Sequence, residues 1–173
     1  FLPGLAGVKG IPLWTFYTNR GQGMNSFGID NKGNAIMEFN SANTAFENTQ
    51  VKGFRTFLKI DGEYYEPFFT YEKEAKRQMR MNKNSFKIIE TNEKYGIEVT
   101  VNYYVLPNES IGALVRQVSV KNIGDSAKEV QVIDGLPKII TYGIANGEFK
   151  EMSNLFKSWA DIRNLENKVP YYT

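Results

Sequence analysis

Between Gly96 and Asn122, apolar and polar residues alternate with a period of two along two long arms. In the first arm Ile97, Val99, Val101, Tyr103 and Val105 fall on one side, and Glu98, Thr100, Asn102 and Tyr104 on the other. In the second, Leu114, Arg116, Val118 and Val120 alternate with Val115, Gln117 and Ser119. This period is that of a strand with one buried face and one wetter face. Pro107-Asn108-Glu109-Ser110 separates the arms and is built from turn formers. The two arms predict the central antiparallel ribbon of a large sheet.

The same reading extends along the chain. Phe1 to Gly10 is rich in glycine and proline and reads as a loop or a broken strand end. Ile11 to Thr18 is dominated by β-branched and aromatic residues and predicts a strand. A turn over Asn19 to Gly23, an extended stretch from Met24 to Ile29, a turn over Asp30 to Asn34 and a strand from Ala35 to Phe39 complete a meander. Asn40 to Lys52 is polar without periodicity and reads as a loop. Phe54 to Ile60 and Glu63 to Phe69 flank Asp61-Gly62, a hairpin signal because a type I′ turn needs positive φ at both central residues. Glu72 to Arg80 mixes both charge signs and reads as a solvated face or loop. Strands follow at Ser85 to Thr91 and, beyond the central pair, at Ala127 to Asp134, with a further strand at Leu136 to Tyr142. Ala160 to Thr173 reads as a strand and a turn.

One segment changes period. Phe149, Met152, Leu155, Phe156 and Trp159 recur at spacings of three and four, which predicts a helix over Asn146 to Trp159 with an apolar stripe packed on the sheet. Many strands with short connections and one late helix imply an all-β fold: a large antiparallel β-sandwich, one domain over residues 1–173.

Composition narrows the chemistry. The chain has no cysteine and no histidine. Disulfides, thiolate metal sites and Ser-His or Cys-His catalysis are therefore excluded. Net charge is +2 with both signs interspersed, and a nucleic-acid partner would need a concentrated basic patch. No apolar run approaches the about 20 residues of a membrane helix, so no membrane partner is expected. Aromatic residues make up 14% of the chain, which favours strands.

Paired carboxylates are the first requirement of glycoside hydrolysis. Asp30, Asp61, Asp125 and Asp134 lie in or beside predicted turns. Glu38, Glu63, Glu66, Glu90 and Glu98 lie on predicted strands, where a solvated face is the expectation. No pair stands out. The local feature with most ligand-binding character is Asn19-Arg20-Gly21-Gln22-Gly23. Asn19, Arg20 and Gln22 offer hydrogen bonds at a tip where glycines let a backbone approach a ligand. Trp14 and Tyr17 precede it with rings able to stack on a sugar. A plain hairpin turn is the competing reading.

The run from Leu2 to Phe68 resembles the start of the large bacterial proteins related to cellobiose phosphorylase, and within them the 1,2-β-oligoglucan phosphorylases. Leu114 to Ile140 and Met152 to Thr173 resemble the same domain. The resemblance lies in strand-and-turn wording, without a diagnostic catalytic motif. It implies an N-terminal β-supersandwich of the galactose-mutarotase-like kind, joined in the family to a helical linker, a catalytic (α/α)6 barrel and a small C-terminal β-domain. In that family inorganic phosphate attacks the anomeric carbon with inversion and releases an α-sugar 1-phosphate. No metal or organic cofactor takes part, and phosphate is a co-substrate.

The expectation is therefore a non-catalytic front part of a larger cytoplasmic enzyme. Its chain begins FLPG rather than with Met. The implied partners are the helical barrel of the parent chain, a β-glucan or oligosaccharide, and a second copy in a homodimer. The Asn19–Gly23 turn is the expected active-site rim, and no family catalytic residue transfers. Two other readings stay open: a free-standing carbohydrate-binding β-sandwich, and an accessory domain of another polysaccharide-active enzyme.

Overall fold

The computed structural model describes residues 2–17, 24–36, 41–69, 74–137 and 144–173. They form an all-β fold with antiparallel sheets and two helices, one of them late. β1 (Leu2–Ala6), β2 (Ile11–Tyr17) and β3 (Met24–Ile29) make a meander. After a 3-10 turn at Lys32–Asn34 comes α1 (Ala42–Lys52). β4 (Arg55–Ile60) and β5 (Glu63–Tyr65) form a hairpin. β6 (Ala75–Met81), β7 (Ser85–Asn92), β8 (Ile97–Val105) and β9 (Leu114–Asn122) follow as a four-stranded sheet in chain order. β10 (Val130–Gly135) returns to pair with β4, giving the sheet order β10-β4-β5. Last come α2 (Asn146–Trp159) and a hairpin of β11 (Ile162–Arg163) with β12 (Tyr171–Tyr172).

The sandwich is made by the β10-β4-β5 and β6–β9 sheets. Leu58, Ile60 and Tyr65 from one meet Phe86, Ile88, Ile97, Val99, Val101 and Tyr103 from the other in a single buried cluster, closed by Phe68. Alternation puts the residues there: β7 and β8 bury every second side chain. Removing a Val or Ile side chain of this size from water stabilises by about 1.5–3 kcal/mol. β5 lies over β7, and β4 with β10 lies over β8 and β9. The inward side of β6 is less buried than its neighbours, with Met79 41% and Met81 57% exposed although they pair with Ile88 and Phe86.

The Asp61-Gly62 tip has φ of 49° and 92°, the two positive values its sequence demands. The meander sheet joins the sandwich at the far end of β8. There Gly7 N–H donates to the Leu106 carbonyl at 2.8 Å. A side chain at Gly4 would meet Val105 Cγ2 at 2.6 Å, so glycine allows β1 to lie against β8.

Several expectations change. Asn40 to Lys52, read as a loop, contains α1. Its covered positions are Ala45 and Thr49, one turn apart, while Phe46 and Val51 face solvent. A helix that buries a small residue and a threonine leaves no apolar stripe to detect. Thr49 Oγ1 satisfies itself on the Ala45 carbonyl at 2.6 Å. The charged segment is solvated as expected, but as the edge strand β6 rather than as a loop. The strand placed at Ala35 to Phe39 shows only an isolated bridge from Ala35 to Gly28, and 37–40 lie outside the described residues. The further strand at Leu136 to Tyr142 falls mostly on 138–143, also outside them. α2 has the predicted bounds, but only Phe149 of its stripe is buried. Met152, where the helix kinks, Leu155 and Trp159 are exposed.

Candidate functional site

Of the residues singled out in the sequence, Asn19, Arg20 and Gln22 lie outside the described residues. Tyr17 ends β2, paired with Met24. Trp14 is in the interior of the meander sheet, 7% exposed, and its Nε1–H donates to the Asn31 carbonyl at 3.3 Å. A Cβ at Gly28 would meet the Trp14 ring at 2.6 Å, so the indole uses the space that glycine leaves. Burial leaves that ring little surface for stacking on a sugar.

A concave site lies elsewhere, at the end of the sandwich where three connections meet. The β4–β5 turn, the β7–β8 turn and the β9–β10 loop all fall there, because Val130 pairs with Ile60 and Ile97 pairs with both Asn92 and Asn122. They enclose an open hollow of about 250 Å³ lined by Ile60, Asp61, Glu63, Lys94, Tyr95 and Lys128. Four of the lining groups, Tyr95, Lys94, Asp61 and Lys128, have partners of their own. The Tyr95 ring packs on Tyr65 with centroids 4.7 Å apart. Lys94 Nζ donates to the Tyr95 hydroxyl at 3.2 Å and lies 4.6 Å from the ring centroid. Asp61 accepts the Glu129 N–H at 2.9 Å and faces Lys128 Nζ at 3.9 Å. Gly96, at φ +59°, leaves room for Lys128, whose Cε would lie 3.3 Å from a Cβ there.

The outward face of the β10-β4-β5 sheet is the second exposed feature. Register places Phe57 opposite Ile133, and Lys59 between Gln131 and Tyr64. Tyr64 is 81% exposed and Ile133 74%. The Arg55 guanidinium sits 4.6 Å from the Phe57 ring centroid and Lys59 Nζ 5.4 Å from that of Tyr64. Arg55 is also paired with Glu66 at 2.7 Å. Rings displayed to solvent between hydrogen-bonding side chains can stack on a hydroxylated ring.

Two buried polar groups tie the sheets together. Glu90, expected on a solvated strand face, points inward on β7 and is buried. Tyr65 donates its hydroxyl to it, the Phe68 N–H donates at 2.9 Å, and Arg77 Nε donates at 2.5 Å. The donors come from β5, the segment after it and β6, so the charge is satisfied where periodicity put it inside. At the opposite side Arg116 of β9 donates to Tyr103 Oη at 3.0 Å, to Thr56 Oγ1 at 2.9 Å and to Asp134. Thr56 itself donates to Asp134 at 2.6 Å. Burial pushes the Tyr103 hydroxyl up to about 12, partly opposed by Arg116. In each group the central charge, Glu90 or Arg116, is buried and joins the two sheets.

Among the described residues no three Asp or Glu side chains converge to hold a metal ion, and no helix is long and apolar enough to cross a membrane. Sequence reading missed Lys94, Tyr95 and Lys128 because the first two lie in the β7–β8 turn and the third in the β9–β10 loop, far apart in the chain. The available signal was strand parity, which sends those connections to one end. No protein-family model matches the chain, and no curated protein matches it.

Proposed function

We propose that this chain is a non-catalytic, carbohydrate-facing domain of an inverting carbohydrate phosphorylase that converts β-glucosides or β-glucans and phosphate into an α-sugar 1-phosphate. The observation that carries the reading is the outward face of the β10-β4-β5 sheet. It presents Tyr64 and part of the Phe57 ring to solvent beside the cationic side chains of Arg55 and Lys59, an arrangement able to stack on a sugar ring. The partly exposed Met79 and Met81 on β6 add support for a scaffold role, since an apolar margin of this kind suits packing against another domain or a second copy. In this reading the domain braces a helical catalytic barrel and a homodimer in the cytoplasm, and phosphate is the only co-substrate. The strand-and-turn resemblance supplies the enzyme class.

The test is phosphate release by the full-length enzyme from an α-sugar 1-phosphate and a β-gluco-oligosaccharide acceptor. Release is expected, with a raised KM for the acceptor in Tyr64→Ala. An absence of release with every acceptor ends the phosphorylase reading. A free-standing carbohydrate-binding sandwich is the second reading, favoured by the same face. It predicts glucan binding by this chain with no phosphate chemistry anywhere in the protein that contains it.

A further inference from the structure

We infer that the hollow at the sandwich end is a subsite for one uncharged, polyhydroxylated ring, such as a single glucopyranose unit. The inference rests on the carbohydrate reading and assigns it a second contact point, distinct from the Phe57–Tyr64 face. Size comes first: about 250 Å³ lies below the ~300–1,000 Å³ of pockets for drug-sized ligands. One small ring fits, and an oligomer would have to leave through the open side.

Charge comes second. The lining holds two ammonium groups, Lys94 and Lys128, and two carboxylates, Asp61 and Glu63. They cancel, so neither an anion nor a cation is favoured by the field as a whole. What remains is a dense set of donors and acceptors around the Tyr95 ring, with Ile60 as apolar floor. Vicinal hydroxyls, which donate and accept at once, match such a set. The C–H face of a pyranose matches the ring.

Rigidity comes third. Tyr95 is backed by Tyr65, which is itself fixed on buried Glu90. Asp61 is held by a backbone N–H, and Lys128 is largely enclosed, its side chain 16% exposed. A preordered site loses little side-chain freedom on binding.

Methyl β-glucopyranoside titrated into the full chain, with backbone amides followed by NMR, tests this. Saturable shifts are expected at Gly62, Lys94 to Gly96 and Lys128. Glu63→Gln and Lys94→Met, both at exposed positions, are expected to weaken binding about tenfold each while leaving the melting temperature unchanged. Inorganic phosphate is expected to give no saturable shift there. The inference is overturned if the glucoside does not saturate, if shifts are confined to the Phe57–Tyr64 face, if both variants bind like wild type, or if phosphate binds the hollow instead. Saturation here with no phosphate release from the full-length enzyme would remove the phosphorylase reading and leave the subsite. Phosphate release without binding here would do the reverse.

Discussion

The two buried ionic groups of this sandwich are near mirror images. On the β7 side the sealed member is an anion: the Glu90 side chain is 0% exposed, while its partner Arg77 is 34% exposed. On the β9 side the sealed member is a cation: Arg116 is 6% exposed and Asp134 32%. In each, the counter-ion reaches toward water and the buried charge collects further hydrogen bonds. The difference lies in who supplies them. One of Glu90's donors is the backbone N–H of Phe68, so this group tethers a connection leaving β5. Arg116 reaches side chains of β4, β8 and β10, so it ties three strands of two sheets through one planar fork. Anion and cation thus serve different jobs, one fastening a loop and the other fixing the sheets in register.

The strongest challenge to that comparison is Arg77→Ala. Among the described residues it strips the only charged donor from a sealed carboxylate and should destabilise by about 3–5 kcal/mol in denaturant titration. A cost near zero would mean that Tyr65 and Phe68 suffice alone. Next is alkali. Tyr103 has its hydroxyl pushed up to about 12 from 10.0, so the folded chain holds this proton more tightly than the unfolded chain does. The contribution is fully present below pH 10, and it is lost as pH rises toward about 12. A two-unit rise corresponds to roughly 3 kcal/mol. Unfolding followed from pH 9 to 12 should show that decline, and a flat profile would mean that the fold does not hold the Tyr103 hydroxyl out of water. Smaller still is Arg116→Lys, which keeps the charge but cannot serve Tyr103, Thr56 and Asp134 together. The expected loss is about 1–3 kcal/mol, and a loss beyond measurement would deny the fork its role.

At the bottom of the scale is the exposed pair Lys76–Glu93, 2.5 Å apart. Its hydrogen bond holds the Glu93 carboxyl below its ordinary range and raises Lys76. What it contributes is present above the ordinary carboxyl range and fades as pH falls through the lowered one. Glu93→Gln should leave the melting temperature unchanged in physiological salt. A clear drop would show that surface pairs on β6 rival the buried ones.

The sandwich was legible wherever one face of a strand is apolar. β8 carries that alternation without interruption, β9 breaks it only at Arg116, and Asp61-Gly62 announces its own turn. Periodicity failed where burial is not apolar. α1 covers itself with Ala45 and Thr49, and Glu90 keeps a carboxylate in phase with Phe86 and Ile88. The hollow was invisible for a different reason. Asp61, Lys94 and Lys128 are brought together by pairing between strands far apart in the chain, which no local window contains. Exposed rings were equally unreadable: Tyr64 and Tyr65 are neighbours in sequence, yet one is buried and the other faces solvent because a strand alternates.

The pairing of β4 with β10 joins Ile60 to Val130 across 70 residues. At 5–20 residues per second of synthesis, β4 leaves the ribosome on the order of 4 to 14 s before the strand that flanks it. Over that interval the three residues of β5 are the sheet partner β4 has among the described strands. The β6–β9 meander closes pair by pair as it emerges. A nascent chain is therefore most vulnerable midway through translation, and slowing elongation across 61–129 should raise the fraction captured by chaperones more than slowing it anywhere later.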